Sequence, residues 1–320
     1  ITNYLAGLVQ STQDDLEWKV WSTVPGTDTN PWDCPSEVLD IGRHLGEWSG
    51  DHIPIWRKLN SFLWRWAKRG KAIKLIREIK NDFRPDAVLI ARWCEEGHHW
   101  CRACRRWNIP YVIIGHGLEF REKQPQLPWN VAGALRSDLG EAMHGFANSE
   151  ATLGLMLKLG LKEERSSVLP PGLMPEEAMV DRAQPRGAWT EKRFVLCLGR
   201  LVFRKGFDLG IEAFEMVADE FPEMELFVVG DGPERESLAS RVEESPVRRR
   251  ITLTGEVNAE EKAWLMAQCE LFLMPNRPVE GDMEGFGIVF LEAGWAGKAV
   301  IGGNNGGVPE AIEDLSLIHI

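Results

Sequence analysis

A chain of 320 residues is long enough for two domains, each with its own hydrophobic core. Hydrophobic residues make up 44% of it and charged residues 27%, which is typical of a globular protein and excludes a disordered or fibrous one. The net charge of −11 argues against a general nucleic-acid binder, because phosphate contacts need a basic surface. The six cysteines, mostly single and inside apolar runs, predict reduced thiols in a cytoplasmic protein.

Short apolar runs that end at glycine or proline alternate with helical patterns along the chain. Strands of this kind, each followed by an amphipathic helix, predict parallel sheets that are covered on both faces. Two of the clearest helical patterns lie at 207–221 and 259–269. The predicted strands are, in chain order, 17–23, 86–91, 110–115, 144–149, 166–170, 193–199, 225–230, 250–255, 270–275 and 298–303.

A segment rich in proline, glycine and charge separates the two series of strands and predicts a linker. We therefore expect an α/β protein with two Rossmann-like, doubly wound parallel-sheet domains that face each other across a cleft. Ligands of such sheets bind beyond the carboxyl ends of the strands, so the chemistry is expected there. The predicted boundaries are 1–175 for the N-terminal domain, 176–192 for the linker and 193–320 for the C-terminal domain.

The two ends of the sequence do not match this alternation. The chain opens on ITNYLAGLVQ, a helical pattern with no strand before it, and closes on LSLIHI, an apolar tail directly after PEAIED. We expect a chain cut at both ends that lacks the first strand and the last units of its fold. Whether LSLIHI is native sequence or a genuine last strand stays open at this point.

Two carboxylates bracket a run of glycines and apolar residues in EGFGIVFLE. Gly285 and Gly287 stand where a loop meets a helix, and free N–H groups there favour an anion such as phosphate. Glu284 precedes that helix and Glu292 lies on it. A ligand held at the glycines by its phosphates could offer hydroxyl groups to both acids. The alternative is an acid placed against the helix dipole and a solvated Glu292.

A basic turn follows the strand at 193–199 in GRLVFRKGFD. It holds Arg200, Arg204 and Lys205 and ends at Gly206. Two or three cations at the carboxyl end of a strand suit a diphosphate, which accepts forked hydrogen bonds from arginine. A solvated basic turn is the alternative.

Four motifs in this order resemble the retaining glycosyltransferases of family GT4: GRLVFRKGFD, VVGDGPERESL, EGFGIVFLEA and GGVPEAIED. They cover nearly the whole C-terminal half, and the N-terminal half is similar more loosely through IPYVIIGHGLEF, FANSEAT and VLPPG. The resemblance implies a GT-B fold, with the nucleotide-sugar donor on the C-terminal domain and the acceptor on the N-terminal one.

The resemblance also implies a catalytic group of four residues. Arg200 and Lys205 would neutralise the pyrophosphate of the donor as it leaves, and Glu284 would contact the hydroxyl groups of the transferred sugar. His116 would reach across the cleft to that sugar, although without the family it reads as a structural histidine at a strand end. Fixed cations in a closed site stabilise a leaving diphosphate without reorganisation.

The donor-binding residues are implied in the same way. Glu292 would hold the ribose hydroxyls, since a carboxylate can accept two hydrogen bonds at once. The loop glycines and the phenylalanine between them would present backbone N–H groups, and the segment after the strand at 250–255 would lie by the nucleobase. The full donor-binding set is Gly285, Phe286, Gly287, Glu292, Gly255 and Val257.

The implied reaction moves a hexose from a nucleotide-diphosphate sugar to a glycan or lipid-linked acceptor with retention of configuration. No Asp-x-Asp metal motif stands in the expected site, so we predict transfer without a metal and without any cofactor besides the donor. The alternatives that stay open are a truncated nucleotide-sugar-binding remnant without activity and a GT-B epimerase or phosphorylase. A nicotinamide-dependent oxidoreductase is disfavoured, because VVGDGPERE lacks the third glycine of G-x-G-x-x-G.

Two further segments allow other interpretations. CEEGHHWCRAC at 94–104 contains cysteines and histidines that could bind zinc, but it falls where a helix is needed. The segment 55–80 is basic, bears tryptophans and has one apolar helical face, so it would suit an anionic membrane surface. A helix packed on the sheet with a solvated basic edge is the favoured interpretation. The expected location is the cytoplasm, at the inner face of the membrane if this helix binds it.

Overall fold

The computed structural model describes residues 19–22, 37–40, 73–74, 76–93, 95–120, 131–173, 189 and 192–312. It divides into two compact units, which interleave along the sequence. Unit 1 comprises Ile1–Gly115, Leu127–Phe146 and Met156–Ser167, and unit 2 comprises His116–Gln126, Ala147–Leu155 and Val168–Ile320. The predicted linker, 176–192, lies almost entirely outside the described residues, so the predicted domain boundaries stay predictions.

The first half of the chain forms two parallel sheets. The smaller pairs β1 with β2, and the larger has the order β3-β4-β5-β6. The strands are β1 (Lys19–Ser22), β2 (Glu37–Asp40), β3 (Val88–Ile90), β4 (Tyr111–Gly115), β5 (His144–Ala147) and β6 (Ser166–Val168). The helices are α1 (Glu95–Trp107), α2 (Val131–Gly140) and α3 (Glu150–Lys158), and residues 76–83 are also helical.

The second half forms a five-stranded parallel sheet of order β11-β10-β7-β8-β9. Its strands are β7 (Arg193–Leu198), β8 (Met224–Val229), β9 (Ile251–Gly255), β10 (Leu271–Met274) and β11 (Ala299–Gly302). Its helices are α4 (Phe207–Val217), α5 (Arg235–Glu243), α6 (Ala259–Gln268), α7 (Ile288–Trp295) and α8 (Val308–Ala311). The order places β7 at the centre, so the loop after β7 lies between the loops that follow β8 and β10.

All ten predicted strands are confirmed, and most of them are short apolar runs of the kind found in buried parallel sheets. One strand, Glu37–Asp40, was not predicted, since EVLD is short and has an acid at each end. The helix expected at 207–221 ends at Val217. Pro222 follows Phe221, and a residue before proline is disfavoured in the helical conformation.

Aromatic stacking builds the core around β7. Phe194 stacks on Phe227 of β8 with ring centroids 4.5 Å apart, and both side chains are fully buried. Trp264 of α6 stacks on Phe194 from the helix layer at 6.0 Å. The central strand is therefore packed against the neighbouring strand β8 and against the helix α6, which gives the loop at its carboxyl end a firm base.

One buried carboxylate joins the helices of unit 1. Asp138 of α2 is fully buried and accepts hydrogen bonds from Trp93 Nε1 at 2.8 Å and Arg105 Nη1 at 2.6 Å. His98 Nδ1 lies 2.7 Å from the same carboxylate, and Tyr111 O–H donates to the Asp138 carbonyl at 2.7 Å. A carboxylate with this many partners fastens α1 to α2 and β4, because a buried charge is tolerated only where it is paired and hydrogen-bonded.

The segment considered for zinc thus forms α1, which carries part of this network. Cys101 and Cys104 are buried there, and burial raises the pKa of the Cys104 thiol to about 12. Burial also raises the pKa of Cys101, with the charge of Asp138 adding to the effect. Cys94 lies outside the described residues. Among the residues with a described position, no group of three potential metal ligands comes together.

Most of the basic segment 55–80, namely 55–72 and 75, lies outside the described residues, so its proposed membrane contact is a prediction that the structure leaves open. The terminal LSLIHI and the greater part of the predicted linker also lie outside. Within the described ranges, no helix is both long and apolar enough to cross a membrane.

A left-handed glycine fixes the turn after β7. Gly206 has φ 70°, and a Cβ atom at this position would lie 2.1 Å from the carbonyl oxygen of Pro275, which follows β10. Only glycine has both the conformation and the absence of a side chain that this approach demands. The turn at 203–205 is thereby held against the loop after β10.

Replacing Gly206 with alanine is expected to destabilise the chain by about 1–3 kcal/mol, through backbone strain and the clash with Pro275. Gly294→Ala is the matched control: Gly294 lies on α7 with open space where a Cβ would be, so it should gain about 0.5–1 kcal/mol. Urea unfolding measures both. A neutral Gly206→Ala would contradict the close packing of the two loops.

Candidate functional site

The turn after β7 buries a lysine. Lys205 ends the short 3-10 helix Phe203–Lys205 and is only 8% exposed. Its ammonium Nζ lies 2.7 Å from Oε2 of Glu284, and a Cβ on Gly199 would lie 4.0 Å from the same nitrogen. The ammonium group is thus held beside the carboxyl end of β7, where the sequence predicted a cation.

Burial shifts the ionisation of this lysine. Desolvation lowers the pKa of Lys205, the neighbouring Glu284 carboxylate opposes that change, and the positive charge of Arg204 adds to it. An ammonium desolvated in this way is well suited to bind a second anion, because the ligand supplies negative charge that the protein interior lacks.

Glu284 receives two further donors besides Lys205. Arg204 Nη1 lies 3.2 Å from its Oε2, and Asn276 Nδ2 donates to the same oxygen at 3.3 Å. Arg204 Nε also donates to Asp282 Oδ1 at 3.2 Å. The predicted acid therefore lies in a cluster of two cations, two carboxylates and an amide, contributed by the turn after β7 and the loop after β10.

Arg200 differs from the two basic residues after it. Its side chain is exposed, and within the described part of the chain it forms no ion pair. The predicted pair of cations is therefore one buried lysine and one exposed arginine. Arg204 was seen in the sequence as part of the basic turn but given no role, and it is the arginine that contacts Glu284.

The loop that carries Glu284 leads directly into α7. Gly287 has φ 90° and is the N-cap of that helix. Among the described residues, the N–H groups of Gly285, Phe286 and Gly287 donate no backbone hydrogen bond. Phe286 is only 4% exposed, so its ring belongs to the interior of the protein. These N–H groups fulfil the condition for an anion site at a helix start.

His116, the residue directly after β4, belongs to the same compact unit as Glu284. Its N–H donates to Glu119 Oε1 at 2.8 Å, and its carbonyl accepts from Asn148 Nδ2 at 3.4 Å. A Cβ on Gly285 would lie 2.2 Å from that carbonyl. The structure thus brings the predicted histidine against the glycine loop by direct backbone contact.

The motif at 306–314 supports the same loop. The Gly307 N–H donates to the Glu284 carbonyl at 2.9 Å. The Glu310 carboxylate accepts from the first two N–H groups of α3, those of Glu150 at 2.8 Å and Ala151 at 3.4 Å. This acid satisfies a helix start far away in the sequence, which the motif alone could not reveal.

Glu292 lies on α7 and has a cation of its own. Lys262 Nζ of α6 lies 2.5 Å from Glu292 Oε1. At the start of α6, Asn258 and Glu261 form a capping box, which fixes the helix that carries this lysine. Lys262 was not given a role from the sequence, although the segment NAEE, which contains the capping box, predicts the start of the helix that carries it.

Gly255 and Val257 follow β9, as predicted. Gly255 has φ 75°, and Arg235 Nη1 would lie 3.4 Å from a Cβ placed there. Arg235 in turn forms an ion pair with Asp231 at 2.9 Å, and Val257 packs against the core of the sheet. An arginine beside Gly255 was not predicted, because the two residues meet only through the pairing of β8 with β9.

Two family models match the chain. The model described as "Glycosyl transferases group 1" matches residues 181–317, and that described as "Glycosyltransferase Family 4" matches residues 35–177. Solved structures agree on the fold: Anabaena HepE in complex with UDP has a TM-score of 0.67 and 19% identity, covering 97% of this chain and 79% of that one. The fold is therefore of the GT-B class, as predicted. The two family models, one on each half of the chain, together support a glycosyltransferase of the GT4 type.

Curated relatives match part of the chain. A GDP-mannose-dependent alpha-(1-6)-phosphatidylinositol monomannoside mannosyltransferase of Mycobacterium tuberculosis is 38% identical over 152 residues, which is 45% of this chain and 40% of that protein. A 2-deoxystreptamine N-acetyl-D-glucosaminyltransferase of Niallia circulans is 30% identical over 116 residues, 36% of this chain and 28% of that protein. The matched part thus spans less than half of either relative's length.

The buried pair of Lys205 and Glu284 should be strongly coupled. A double-mutant cycle on unfolding free energy with Lys205→Met and Glu284→Gln is expected to give an interaction of about 1–3 kcal/mol. The exposed pair Asp231 and Arg235, treated in the same way, should give roughly 0.3–0.5 kcal/mol, because solvent screens it. Equal couplings in the two cycles would show that burial adds nothing to the first pair.

Proposed function

We propose that this chain is the donor-binding part of a hexosyltransferase, which moves a hexose from a nucleotide-diphosphate sugar to a glycan or lipid-linked acceptor. The observation that carries the proposal is the buried Lys205 ammonium beside Glu284, at the carboxyl end of the central strand. The free N–H groups of the loop before α7 belong to the same site. A cation, backbone donors and a carboxylate together match the diphosphate and the sugar hydroxyls of such a donor.

Charge development explains the arrangement. When the bond between the hexose and the diphosphate breaks, negative charge grows on the leaving diphosphate. Lys205 and the exposed Arg200 would stabilise that charge, and a site held in place by packing need not reorganise to do so. A buried, fixed lysine together with an exposed arginine can supply this stabilisation without a metal ion, which is why we propose metal-independent transfer and no cofactor besides the donor.

The remaining predicted residues take positions around this centre. Glu284 would accept a hydroxyl of the hexose, and the carbonyl contact of His116 with Gly285 would keep the histidine near that sugar. Glu292 would hold the ribose, sharing its charge with Lys262. Gly255 and Val257 would lie by the nucleobase. These roles are proposals that follow the family resemblance, and the contact of His116 with Gly285 supports placing the histidine beside Glu284.

The relatives suggest which donor to test first. GDP-mannose-dependent enzymes of phosphatidylinositol mannoside synthesis match the chain at 35–38% identity. We therefore propose GDP-mannose as the donor and a lipid-linked glycan of the cell envelope as the acceptor. A cytoplasmic enzyme that reaches its acceptor at the membrane surface, through the basic segment 55–80, would fit this chemistry.

Isothermal titration with GDP, UDP and ADP is the first test. We expect saturable binding of GDP, and a loss of about 10-fold or more in Lys205→Ala, since a hydrogen bond to a charged group contributes about 1.5–3 kcal/mol. Lys192→Ala is the matched control: Lys192 also pairs with a glutamate, Glu225, at 2.6 Å, but it lies at the amino end of β7. It should bind GDP as the native chain does.

The same titration tests the ribose site. Glu292→Ala should weaken GDP binding, whereas Lys262→Ala should not, if the carboxylate contacts the nucleotide directly. Equal losses in both variants would point to the broken ion pair instead. A chain that binds none of the three nucleotides would contradict the proposal as a whole.

Stereochemistry and metal use have their own measurement. Transfer from GDP-mannose to a phosphatidylinositol mannoside should continue in the presence of a chelator, because fixed cations replace the metal. Proton NMR of the product should show the anomeric configuration of the donor. Activity that needs an added divalent cation would contradict the first statement, and an inverted product would contradict the second.

A further inference from the structure

The carboxylate of Glu284 is held on one side only. Lys205, Arg204 and Asn276 all donate to Oε2, at 2.7, 3.2 and 3.3 Å. No described residue donates to Oε1. An oxygen that accepts three hydrogen bonds has its lone pairs occupied, so the other oxygen is the acceptor left for a ligand.

Glu284 Oε1 is not fully buried. The buried side-chain atoms without a partner, in the described part of the chain, are Asn148 Oδ1, Asn276 Oδ1 and Arg277 Nε. Glu284 Oε1 is not one of them, so it reaches solvent although the residue as a whole is only 9% exposed. A ligand hydroxyl can therefore meet Oε1 without displacing a protein donor.

Arg204 is built to hold the other oxygen. Its guanidinium spans two carboxylates, with Nε on Asp282 and Nη1 on Glu284, each at 3.2 Å, and its side chain is 14% exposed. The planar fork of arginine suits such a two-point contact, which the single ammonium of lysine cannot reproduce. Asp282 is itself placed by a tight turn, in which its N–H donates to Val279 O at 2.9 Å.

The backbone of Arg204 is anchored as well. Its carbonyl accepts from the Arg277 N–H at 2.9 Å, and Gly206, two residues further on, packs against Pro275. The guanidinium therefore starts from a fixed main chain, and both of its carboxylate partners lie on the loop to which that main chain is bound. This two-ended fixation is typical of a residue that orients another one.

We propose that Arg204 is a positioning residue of the donor site, which holds Oε2 of Glu284 so that Oε1 faces the transferred hexose, while Asp282 holds Arg204. The proposal rests on the proposed function, because it assigns Glu284 to that sugar. It also explains why the site has a second, partly buried cation. When Lys205 turns to the diphosphate, Arg204 keeps Glu284 paired, and an unpaired buried carboxylate would be costly.

The test compares a nucleotide with its sugar conjugate. Arg204→Met should weaken GDP-mannose binding about 10-fold, the value of one charge-assisted hydrogen bond, and change GDP binding by less than about twofold. Arg204→Lys should restore only part of the loss, because one ammonium reaches one carboxylate. If the native chain selects uridine, UDP and UDP-glucose replace the guanosine pair.

The second carboxylate gives an independent check. Asp282→Asn should lower the affinity for GDP-mannose and leave the affinity for GDP unchanged. In the Arg204→Met background it should cause no further loss of GDP-mannose affinity, if Asp282 acts through the arginine. The single variant Asp282→Asn also tests the positioning role if Arg204→Met does not fold. Arg241→Met is the control, because Arg241 pairs with Glu215 between α5 and α4, and both affinities should stay unchanged there.

The outcomes separate the two proposals. A native chain that binds GDP and GDP-mannose, with a selective loss for GDP-mannose in Arg204→Met, supports the positioning role. Equal losses for both ligands would mean that Arg204 binds the nucleotide itself and would overturn it, as would unchanged affinities. A native chain that binds neither ligand overturns the proposed function, and the positioning role with it.

Discussion

The contact between Lys205 and Glu284 is the constraint on which the carboxyl edge of the five-stranded sheet depends. Moving two charged groups out of water costs several kcal/mol each, on the order of what a whole domain has in net stability. That cost is offset only where the partners are fixed at hydrogen-bond distance and have further donors. The turn after β7 and the loop after β10 therefore cannot vary independently, because each supplies half of the pair.

Close backbone packing is how the chain meets this requirement. Gly206 allows the carbonyl of Pro275 to come near, and Gly285 does the same for His116. Gly307 donates its N–H to the carbonyl of Glu284. The glycines of the sequence motifs thus have a structural reason besides any ligand: side chains at these positions would push apart the loops that hold the charged residues. The same glycines leave N–H groups unobstructed before α7, so packing and anion binding use one arrangement.

The sequence predicted the strands of the fold and the loops that carry charged residues, but not the contacts between those loops. Apolar runs such as RFVLCL and LFVV define strands because they have no polar face, and the loops after them were recognised from glycine and charge. Strand β2 was missed because EVLD has too few apolar residues to stand out. The partners of Glu284 were missed for another reason. Asn276 and Asp282 are ordinary loop residues until the order β10-β7 brings them to the turn at 203–205.

The family resemblance had a similar limit. It directed attention to Arg200 and Lys205, and Arg204 between them was not given a role although it lies beside the lysine. Which basic side chain pairs with Glu284 depends on the direction in which each one projects from the 3-10 turn. A sequence motif does not give that direction. Likewise, nothing in the sequence around Asp138 distinguishes it from other acids. Only the packing of α1 on α2 and β4 makes it the buried centre of the hydrogen-bond network in unit 1.

The unequal use of the two Glu284 oxygens has a consequence for the nearest isostere. Glutamine has the same shape but a single oxygen, and three donors already converge on one side of residue 284. Its amide would therefore have to place that oxygen against Lys205 and Arg204 and its NH₂ group where Oε1 now lies. The exchange of one atom would convert the outward-facing acceptor into a donor. If Oε1 receives a hydroxyl hydrogen of the ligand, as proposed, the changed site would instead favour a ligand that offers a bare acceptor, such as a fluorine or carbonyl group, at the same place.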